Sequence, residues 1–253
     1  AGVALLPPRL SPVFEHVERQ ARLVADWLLV GFIHGVMNTD NCSVIGETID
    51  FGPFGFIDTF HPATVYSSID HSGRYAYNQQ PAIAHWNLAR LAESLLGLLD
   101  DNRQQAVELA NGLLGEFPKI FETRFHSGLA AKIGLPAGKE HAKLGLDLMD
   151  AMTTGEADMT LVFRRLSSLS SFSAEHDQSV RELFSNPTAF DVWAVRWREH
   201  LQSDGKPEHE RQQAMLKLNP AFILRNHLAQ WAVDAAIDRL DFEPMKTLHH
   251  VLS

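Results

Sequence analysis

Residues 31–58 read GFIHGVMNTDNCSVIGETIDFGPFGFID, and this stretch decides how the whole chain is interpreted. It contains two short runs with β-branched residues, 42–45 and 48–51, which Gly46-Glu47 separates. Glycine at the first position of a two-residue loop is typical of a type II′ hairpin. We therefore predict that the two runs pair as antiparallel strands.

The predicted hairpin gathers oxygen ligands on one face. Because side chains alternate between the two faces of a strand, Asn41, Ser43 and Asp50 project together, while Val44 and Ile49 fill the other face. An amide oxygen and a carboxylate suit Mg²⁺, which takes one or two protein carboxylates and leaves its other positions to water and phosphate oxygens. A solvated polar turn accounts for the spacing equally well, and a one-residue slip in register would turn Asp50 away from Asn41.

Composition narrows the class of protein. At 253 residues and 28.3 kDa the chain can bury a sizeable core, as one large or two small domains. Its hydrophobic share of 45% and charged share of 21% are those of a soluble globular protein. A net charge of −9 without a basic stripe argues against a general nucleic-acid surface. The single cysteine, Cys42, excludes an internal disulfide framework and fits a reducing compartment.

Membrane and export signals are not evident in the sequence. No apolar run approaches the roughly 20 residues that span a bilayer. The start, AGVALLPPRLSP, lacks the charged region and apolar core of a signal peptide. We therefore expect a soluble, intracellular protein.

Helical periodicity dominates the rest of the chain. Ser11-Pro12 is a good helix start, and apolar residues recur at helical spacing to about Val30. Pro81 opens another helix that runs to about Leu99. Further helices are predicted at about 103–114, 116–133, 139–154, 156–170, 174–184, 188–203, 207–217 and 220–239.

Residues 61–81 form a loop-like stretch that is long for a plain connection. It is a candidate substrate or regulatory surface, and a packed structural excursion is the alternative. For Arg74 and Tyr75 in this loop, as for Arg225 and Asn226 near the end of the chain, the sequence does not separate a role at the site from a packing role.

Several longer strings resemble one family. HGVMNTDN at 34–41, followed by GETIDFGP at 46–53, resembles the selenoprotein O family, also called YdiU. Similar strings follow: SSIDHSGRYAYNQQPAIAHWNLARLAE at 67–93, DMTLVFRRL at 158–166 and NPAFILRNHLAQ at 219–230. The resemblance implies a protein-kinase-like fold and transfer of AMP from ATP to Ser, Thr or Tyr hydroxyls of proteins, with the nucleotide flipped relative to kinases. It also implies a bacterial cytoplasmic location, or a mitochondrial one in a eukaryote.

The resemblance assigns roles to three residues. Asp40 corresponds to the catalytic aspartate, the general base on the acceptor hydroxyl. Asn41 and Asp50 correspond to the two ligands of Mg²⁺ or Mn²⁺ that binds with ATP, and Asp50-Phe51-Gly52 matches the kinase DFG element. The usual kinase HRD pattern is missing, because Val36 stands two positions after His34.

The groups with which a kinase binds its nucleotide are also missing from this sequence. Only 33 residues precede His34; they contain no glycine-rich loop, and no lysine occurs before Lys119. We therefore expect one mainly α, C-lobe-like domain over 1–253, with catalytic loop and metal-binding hairpin at 31–58 and a helical body at 79–240. The N-terminal ATP-binding lobe is expected to lie outside this chain and to be its partner. This fragment alone should bind ATP weakly and transfer little AMP.

Two other functions remain open from the sequence. One is a small-molecule phosphotransferase of the aminoglycoside- or choline-kinase type, and the other is a non-catalytic interaction module. The thirteen histidines are scattered without zinc-like spacing, and His249-His250 is expected to be solvated. His34 either orients the catalytic loop through a hydrogen bond or only packs. Cys42 is interpreted as a small buried hydrophobe rather than a nucleophile.

Overall fold

A computed structural model describes residues 10–253. Residues 1–9, which carry most of the segment interpreted above as lacking a signal peptide, lie outside the described residues. The described chain is mainly helical, as predicted. Its helices are α1 (Ser11–Leu29), α2 (Gln80–Leu99), α3 (Arg103–Leu114), α4 (Glu116–Lys132), α5 (Lys139–Thr154), α6 (Met159–Leu166), α7 (Gln178–Arg181), α8 (Thr188–Asp204), α9 (Glu208–Leu218), α10 (Asn226–Arg239) and α11 (Glu243–Leu252).

Most predicted helices are confirmed within a few residues, and the errors have local causes. The helix predicted from 156 begins only at Met159, because Glu156 has a left-handed φ of 51° and Asp158 caps the amide of Leu161. The predicted helix 174–184 is mostly turns around the short α7. The helix predicted from 220 begins at Asn226, and α11 was not predicted.

A two-stranded sheet is formed by residues near the two ends of the 31–58 stretch. Strands β1 (Phe32–Ile33) and β2 (Gly55–Phe56) are neighbours in it, and residues 34–54 form the connection between them. We call this connection the 34–54 segment. Within residues 10–253, no helix has the length and apolar character needed to cross a membrane.

The predicted hairpin inside the 34–54 segment is wrong. In the described chain, residues 42–51 contain no strand, and the only regular element of the segment is a 3₁₀ turn at Thr39–Asn41. The tight turn runs from Ser43 to Gly46, whose amide donates to the Ser43 carbonyl (3.2 Å), so it lies earlier than the predicted Gly46-Glu47 loop. Val44, predicted to share a strand face with Ile49, is 63% exposed.

Two compact units divide the described chain. The first contains residues 10–29, 33–54 and 65–125. In it α2 packs against both α1 and α3. Its apolar cluster consists of buried side chains from the start of the unit, α2 and α3: Leu10, Ala92, Leu99, Ala106, Ala110 and Leu113.

The second unit contains residues 30–32, 55–64 and 126–253, and α5 packs on α8 within it. Four buried aromatic side chains stack in succession there, with neighbouring ring centroids 5.5 to 6.0 Å apart. We call them the aromatic row: Phe184, Phe190, Trp193 and Trp197. The prediction of one domain over 1–253 stays a prediction.

Candidate functional site

Side chains of α1 hold the 34–54 segment by its backbone. Gln20 Nε2 donates to the Ser43 carbonyl (2.5 Å), and His16 Nδ1 lies 2.7 Å from the Val44 carbonyl. A carbonyl oxygen only accepts, so His16 Nδ1 carries a proton. Burial lowers the pKa of His16 although the Val44 carbonyl opposes this, and a neutral imidazole is favoured.

The same helix explains why no hairpin forms. The Ser43 and Val44 carbonyls are bonded by α1 side chains rather than by an opposing strand. A Cβ on Gly46 would lie 2.6 Å from Arg19 Cβ, so the turn packs directly on α1. Tertiary contacts therefore override the local β preference.

His34 and Gly35 hold the two halves of the segment together. The buried His34 ring has Nε2 2.8 Å from the Ile49 carbonyl, one residue before Asp50. Gly35 has a φ of 84°, and a Cβ there would lie 2.4 Å from the Pro53 carbonyl oxygen. The hydrogen bond predicted as one option for His34 is present, and it reaches the neighbour of Asp50.

Asn41 is anchored by one end of its amide. Its Nδ2 donates to the Val36 carbonyl (3.0 Å), while its Oδ1 accepts no hydrogen bond from the described residues. Val36 is only two residues from His34, so Asn41 and Asp50 are both fixed with respect to the same stretch of backbone. The amide oxygen is left available for a ligand.

Asp50 adopts an unusual backbone conformation. Its φ is 57°, the left-handed region that residues with a Cβ seldom occupy, and its side chain is exposed. Such strain is often found at active sites. Asp40, in the 3₁₀ turn, is also exposed. Neither carboxylate has a partner among residues 10–253.

These groups suit a divalent cation that also binds phosphate. Unpaired carboxylate and amide oxygens are hard ligands of the type Mg²⁺ takes, and Mg²⁺ retains positions for water and phosphate. In residues 10–253 no group of three or more His, Cys, Asp or Glu side chains is placed to hold a metal ion. The assignment of Asn41 and Asp50 as ligands of Mg²⁺ or Mn²⁺ stays a prediction.

The sequence matches one family of known proteins. A family model described as "Protein adenylyltransferase SelO" matches residues 10–253. The chain belongs to the SelO family. It is 50% identical over 247 residues to "Protein nucleotidyltransferase YdiU" of Alkalilimnicola ehrlichii and 51% identical over 247 residues to the protein of that name in Rhodopseudomonas palustris. In both cases the match covers 97% of this chain and 50% of the relative, so the chain spans about half the length of the curated relatives it matches.

Some supporting residues of this SelO family member were not found from the sequence. Gln80 Oε1 accepts from the His34 amide (3.0 Å), and Asn87 Nδ2 donates to the Met37 carbonyl (3.0 Å). Both residues lie on α2. The sequence signal for each of them is only that it is a polar residue in a largely apolar helix. Tyr75, left undecided above, donates through its hydroxyl to Asn38 Oδ1 (2.7 Å).

Asp70 orders the long loop that carries Tyr75. Its carboxylate accepts from the amides of Tyr75 (2.8 Å) and Arg74 (2.9 Å). Although burial works in the opposite direction, these amides and the Ser72 hydroxyl hold the pKa of Asp70 below its ordinary value. This part of the 61–81 loop supports the 34–54 segment through Tyr75.

The remaining candidates lie elsewhere or are not reactive. Arg225 forms ion pairs with Asp58 and Asp158 within the second unit, which are contacts of the kind expected for its packing role. His249-His250 is exposed, as predicted. Burial raises the pKa of the Cys42 thiol, with Asn87 opposing and Asp40 contributing, so the unreactive thiol form is favoured.

Proposed function

We propose that the 34–54 segment supplies the base and the metal ligands for transfer of AMP from ATP to hydroxyl groups of proteins. Asp40 acts as general base, and Asn41 and Asp50 hold Mg²⁺ or Mn²⁺. The proposal rests on the contacts of Asn41 and Asp50. Each is fixed by a neighbouring backbone contact, and each keeps its oxygen ligands free.

The chemistry requires positioning more than covalent participation. Asp40 accepts the proton of a Ser, Thr or Tyr hydroxyl as its oxygen attacks the α-phosphorus of ATP, and pyrophosphate leaves. A bound divalent cation neutralises charge on the phosphate oxygens. His34 does not touch the substrate in this scheme; it fixes the Ile49 carbonyl and thereby the backbone that carries Asp50.

The family membership supports the reaction class, and the kinase-like C-lobe architecture is part of the proposal. The flipped orientation of ATP belongs to it as well, since it brings the α-phosphate rather than the γ-phosphate beside Asp40. Because the chain matches half of each relative, we propose that efficient transfer needs the remaining half. The 253-residue chain alone should bind ATP weakly and transfer little AMP.

The test uses a chimera in which this chain replaces the matching half of the Alkalilimnicola ehrlichii relative. It is incubated with a protein extract and ATP labelled at either the α- or the γ-phosphate. AMP transfer labels proteins from α-labelled ATP only, whereas a small-molecule phosphotransferase would move the γ label to small molecules of the extract and not to proteins. If a folded chimera transferred neither label to proteins or to small molecules, an interaction module would be favoured.

Two variants assign the roles within the chimera. Asp40→Asn should leave binding of Mg²⁺-ATP intact and reduce transfer by about 10²- to 10⁴-fold, because only the base is lost. Asp50→Asn should lose nucleotide binding that depends on the metal. Full transfer by Asp40→Asn would reject the assignment of the base while leaving the metal ligands to be judged by Asp50→Asn.

A further inference from the structure

Two arginines and a tryptophan form an exposed patch in the first unit, which also contains the 34–54 segment. The guanidinium carbon of Arg74, in the 61–81 loop, lies 4.9 Å from the centroid of the Trp86 ring system. That of Arg90, on α2, lies 5.3 Å from the same centroid. We call these three residues the arginine–tryptophan patch. The chemistry proposed above gives the patch no role.

The positive charge of Arg74 is not compensated within the described chain. Its guanidinium has no carboxylate partner there. Asp70, the acid nearest to it in sequence, uses its carboxylate to accept from the backbone amides of Arg74 and Tyr75. Arg90 differs, because its guanidinium pairs with Glu93 (2.7 Å). The net charge of the patch therefore comes from Arg74.

Contacts with aromatic rings hold the Arg74 guanidinium in place. It lies over the Tyr75 ring as well as over Trp86, with 5.6 Å to the centroid of the Tyr75 ring. An arginine that lies on aromatic rings keeps the N–H groups at its edge free to donate. A carboxylate can accept two of these N–H groups side by side. Because the side chain is already positioned, binding an acid costs less conformational entropy than it would at a mobile surface arginine.

Two contacts connect the patch to the turn that carries the proposed general base. Tyr75 donates through its hydroxyl to Asn38 Oδ1 (2.7 Å), and Asn38 immediately precedes the 3₁₀ turn that contains Asp40. Arg90 and Thr39, the first residue of that turn, line the same cavity. In the proposed reaction Asp40 acts on the acceptor hydroxyl. The polypeptide around that hydroxyl therefore lies close to the patch.

We propose that the arginine–tryptophan patch selects protein acceptors that carry an acidic residue near the hydroxyl that receives AMP. The Asp or Glu carboxylate of the acceptor accepts from the Arg74 guanidinium while the hydroxyl reaches Asp40. The 34–54 segment contains no lysine or arginine, so Arg74 supplies a cation that the segment itself lacks. This inference rests on the proposed AMP transfer and adds the class of acceptor to it.

The test uses the same chimera with α-labelled ATP and an array of peptides. Each peptide has one central Ser, Thr or Tyr, and each of the four residues on either side is in turn Glu, Gln or Lys. At one or two positions we expect Glu to be preferred over Gln by about three- to tenfold, with Lys the poorest. Labelling without a preference for Glu would overturn the inference and leave the proposed AMP transfer standing.

Variants of Arg74 assign the preference to the patch. Arg74→Gln should label Glu and Gln peptides equally, and Arg74→Glu should favour Lys peptides. Arg103→Gln is the control, because Arg103 is also exposed without a carboxylate partner and begins α3. It lies beyond the far end of α2, about 20 Å from Trp86, and should keep the preference. If Arg74→Gln slowed labelling of Glu and Gln peptides by the same factor, Arg74 would serve ATP and the inference would fail.

A binding measurement tests the patch even if the chimera transfers no AMP. The indole N–H signals of the five tryptophans of the 253-residue chain are followed by NMR, and the Trp86 signal is identified by its absence in Trp86→Phe. The ligand is a capped peptide with one Ser between four Glu on each side. We expect a saturable shift of the Trp86 signal, which is lost in Arg74→Gln and kept in Arg103→Gln. An equal shift with the matching Gln peptide, or no shift with either, would contradict the inference.

Discussion

Side chains bind backbone carbonyls in both the 34–54 segment and the aromatic row, but the two regions differ in what remains unbound. In the segment, His34 reaches the Ile49 carbonyl, and Asp40 and Asp50 stay exposed and unpaired among the described residues. In the aromatic row, Trp193 Nε1 donates to the Leu144 carbonyl (2.8 Å) and Trp197 Nε1 to the Ile133 carbonyl (2.7 Å). Both indoles are completely buried and satisfied.

The difference suggests a role in chemistry for the 34–54 segment and a role in stability for the aromatic row. Buried aromatic side chains contribute several kcal/mol each to folding, and removing them leaves cavities. Exposed carboxylates contribute little to folding, so the strained backbone at Asp50 is explained better by a ligand. Mutations in the segment should therefore affect chemistry, and mutations around the aromatic row should affect stability.

The largest expected effect is on transfer by Asp50→Asn in the chimera. Loss of the carboxylate that holds the metal should reduce AMP transfer about a thousandfold or more. Asparagine tolerates the left-handed φ, so the free energy of unfolding should change by no more than about 0.5 kcal/mol. Transfer is measured with α-labelled ATP and stability by urea denaturation. Near-normal transfer would show that the Asp50 carboxylate is not needed for the reaction.

Trp197→Ala should produce the opposite pattern. It removes a fully buried ring and leaves the Ile133 carbonyl without its donor, so we expect a loss of about 3–5 kcal/mol in the free energy of unfolding. Transfer per folded molecule of the chimera should remain within about twofold. Denaturation and activity are measured on the same preparation, with Val195→Ala, an exposed position of α8, as the control.

Lys132 provides a pH test of burial in the second unit. Burial lowers its pKa from 10.5 to about 7, and its ammonium lies over the Phe163 ring (4.4 Å). Between pH 7 and 10.5 the unfolded chain binds this proton and the folded chain does not. The contribution of Lys132 to the free energy of unfolding therefore rises with pH, by up to about 1.4 kcal/mol per unit.

The comparison with Lys132→Met isolates that effect. Below about pH 7 the lysine is protonated in both states, so the variant should exceed the natural chain in stability by the largest margin there. The margin should shrink as the pH rises from 7 to 10, as measured by urea denaturation at each pH. A constant margin would show that burial does not disfavour the charged form of Lys132.

The smallest of the expected effects concerns Gly35. Gly35→Ala places a Cβ 2.4 Å from the Pro53 carbonyl oxygen at a positive φ, so we expect a loss of about 1–3 kcal/mol and a partial loss of transfer. Gly97→Ala, in α2 with nothing within 4 Å of the added atom, should instead stabilise by up to about 1 kcal/mol. Equal stability of the two variants would show that the halves of the segment are not in close contact.

Sequence patterns predicted the regular elements well and the 34–54 segment poorly. Apolar spacing and proline positions depend on local chemistry, and they located α1, α3 and α5 within a residue. The segment depends instead on Gln20, His16 and their distant carbonyl partners, which no local rule contains. The β-branched run next to Gly46 therefore predicted a hairpin, whereas the structure has a loop there that packs on α1.

The candidate site shows the same limit. Asp40, Asn41 and Asp50 were selected by residue type and family resemblance. Their geometry depends on His34 and Gly35, and Gly35 has no side chain that would mark it. Gln80 and Asn87 support the segment from α2, more than 40 residues along the chain from their partners His34 and Met37. In the sequence nothing distinguishes them from other polar residues.

The most direct test of the account is Mn²⁺-ATP binding by the chimera, followed by electron paramagnetic resonance of free and bound Mn²⁺. We expect similar affinity for the natural sequence and Asp40→Asn, and loss of ATP-dependent Mn²⁺ binding in both Asn41→Ala and Asp50→Asn. Unchanged Mn²⁺-ATP affinity in these last two variants, with both folded, would contradict the claim that the 34–54 segment holds the metal.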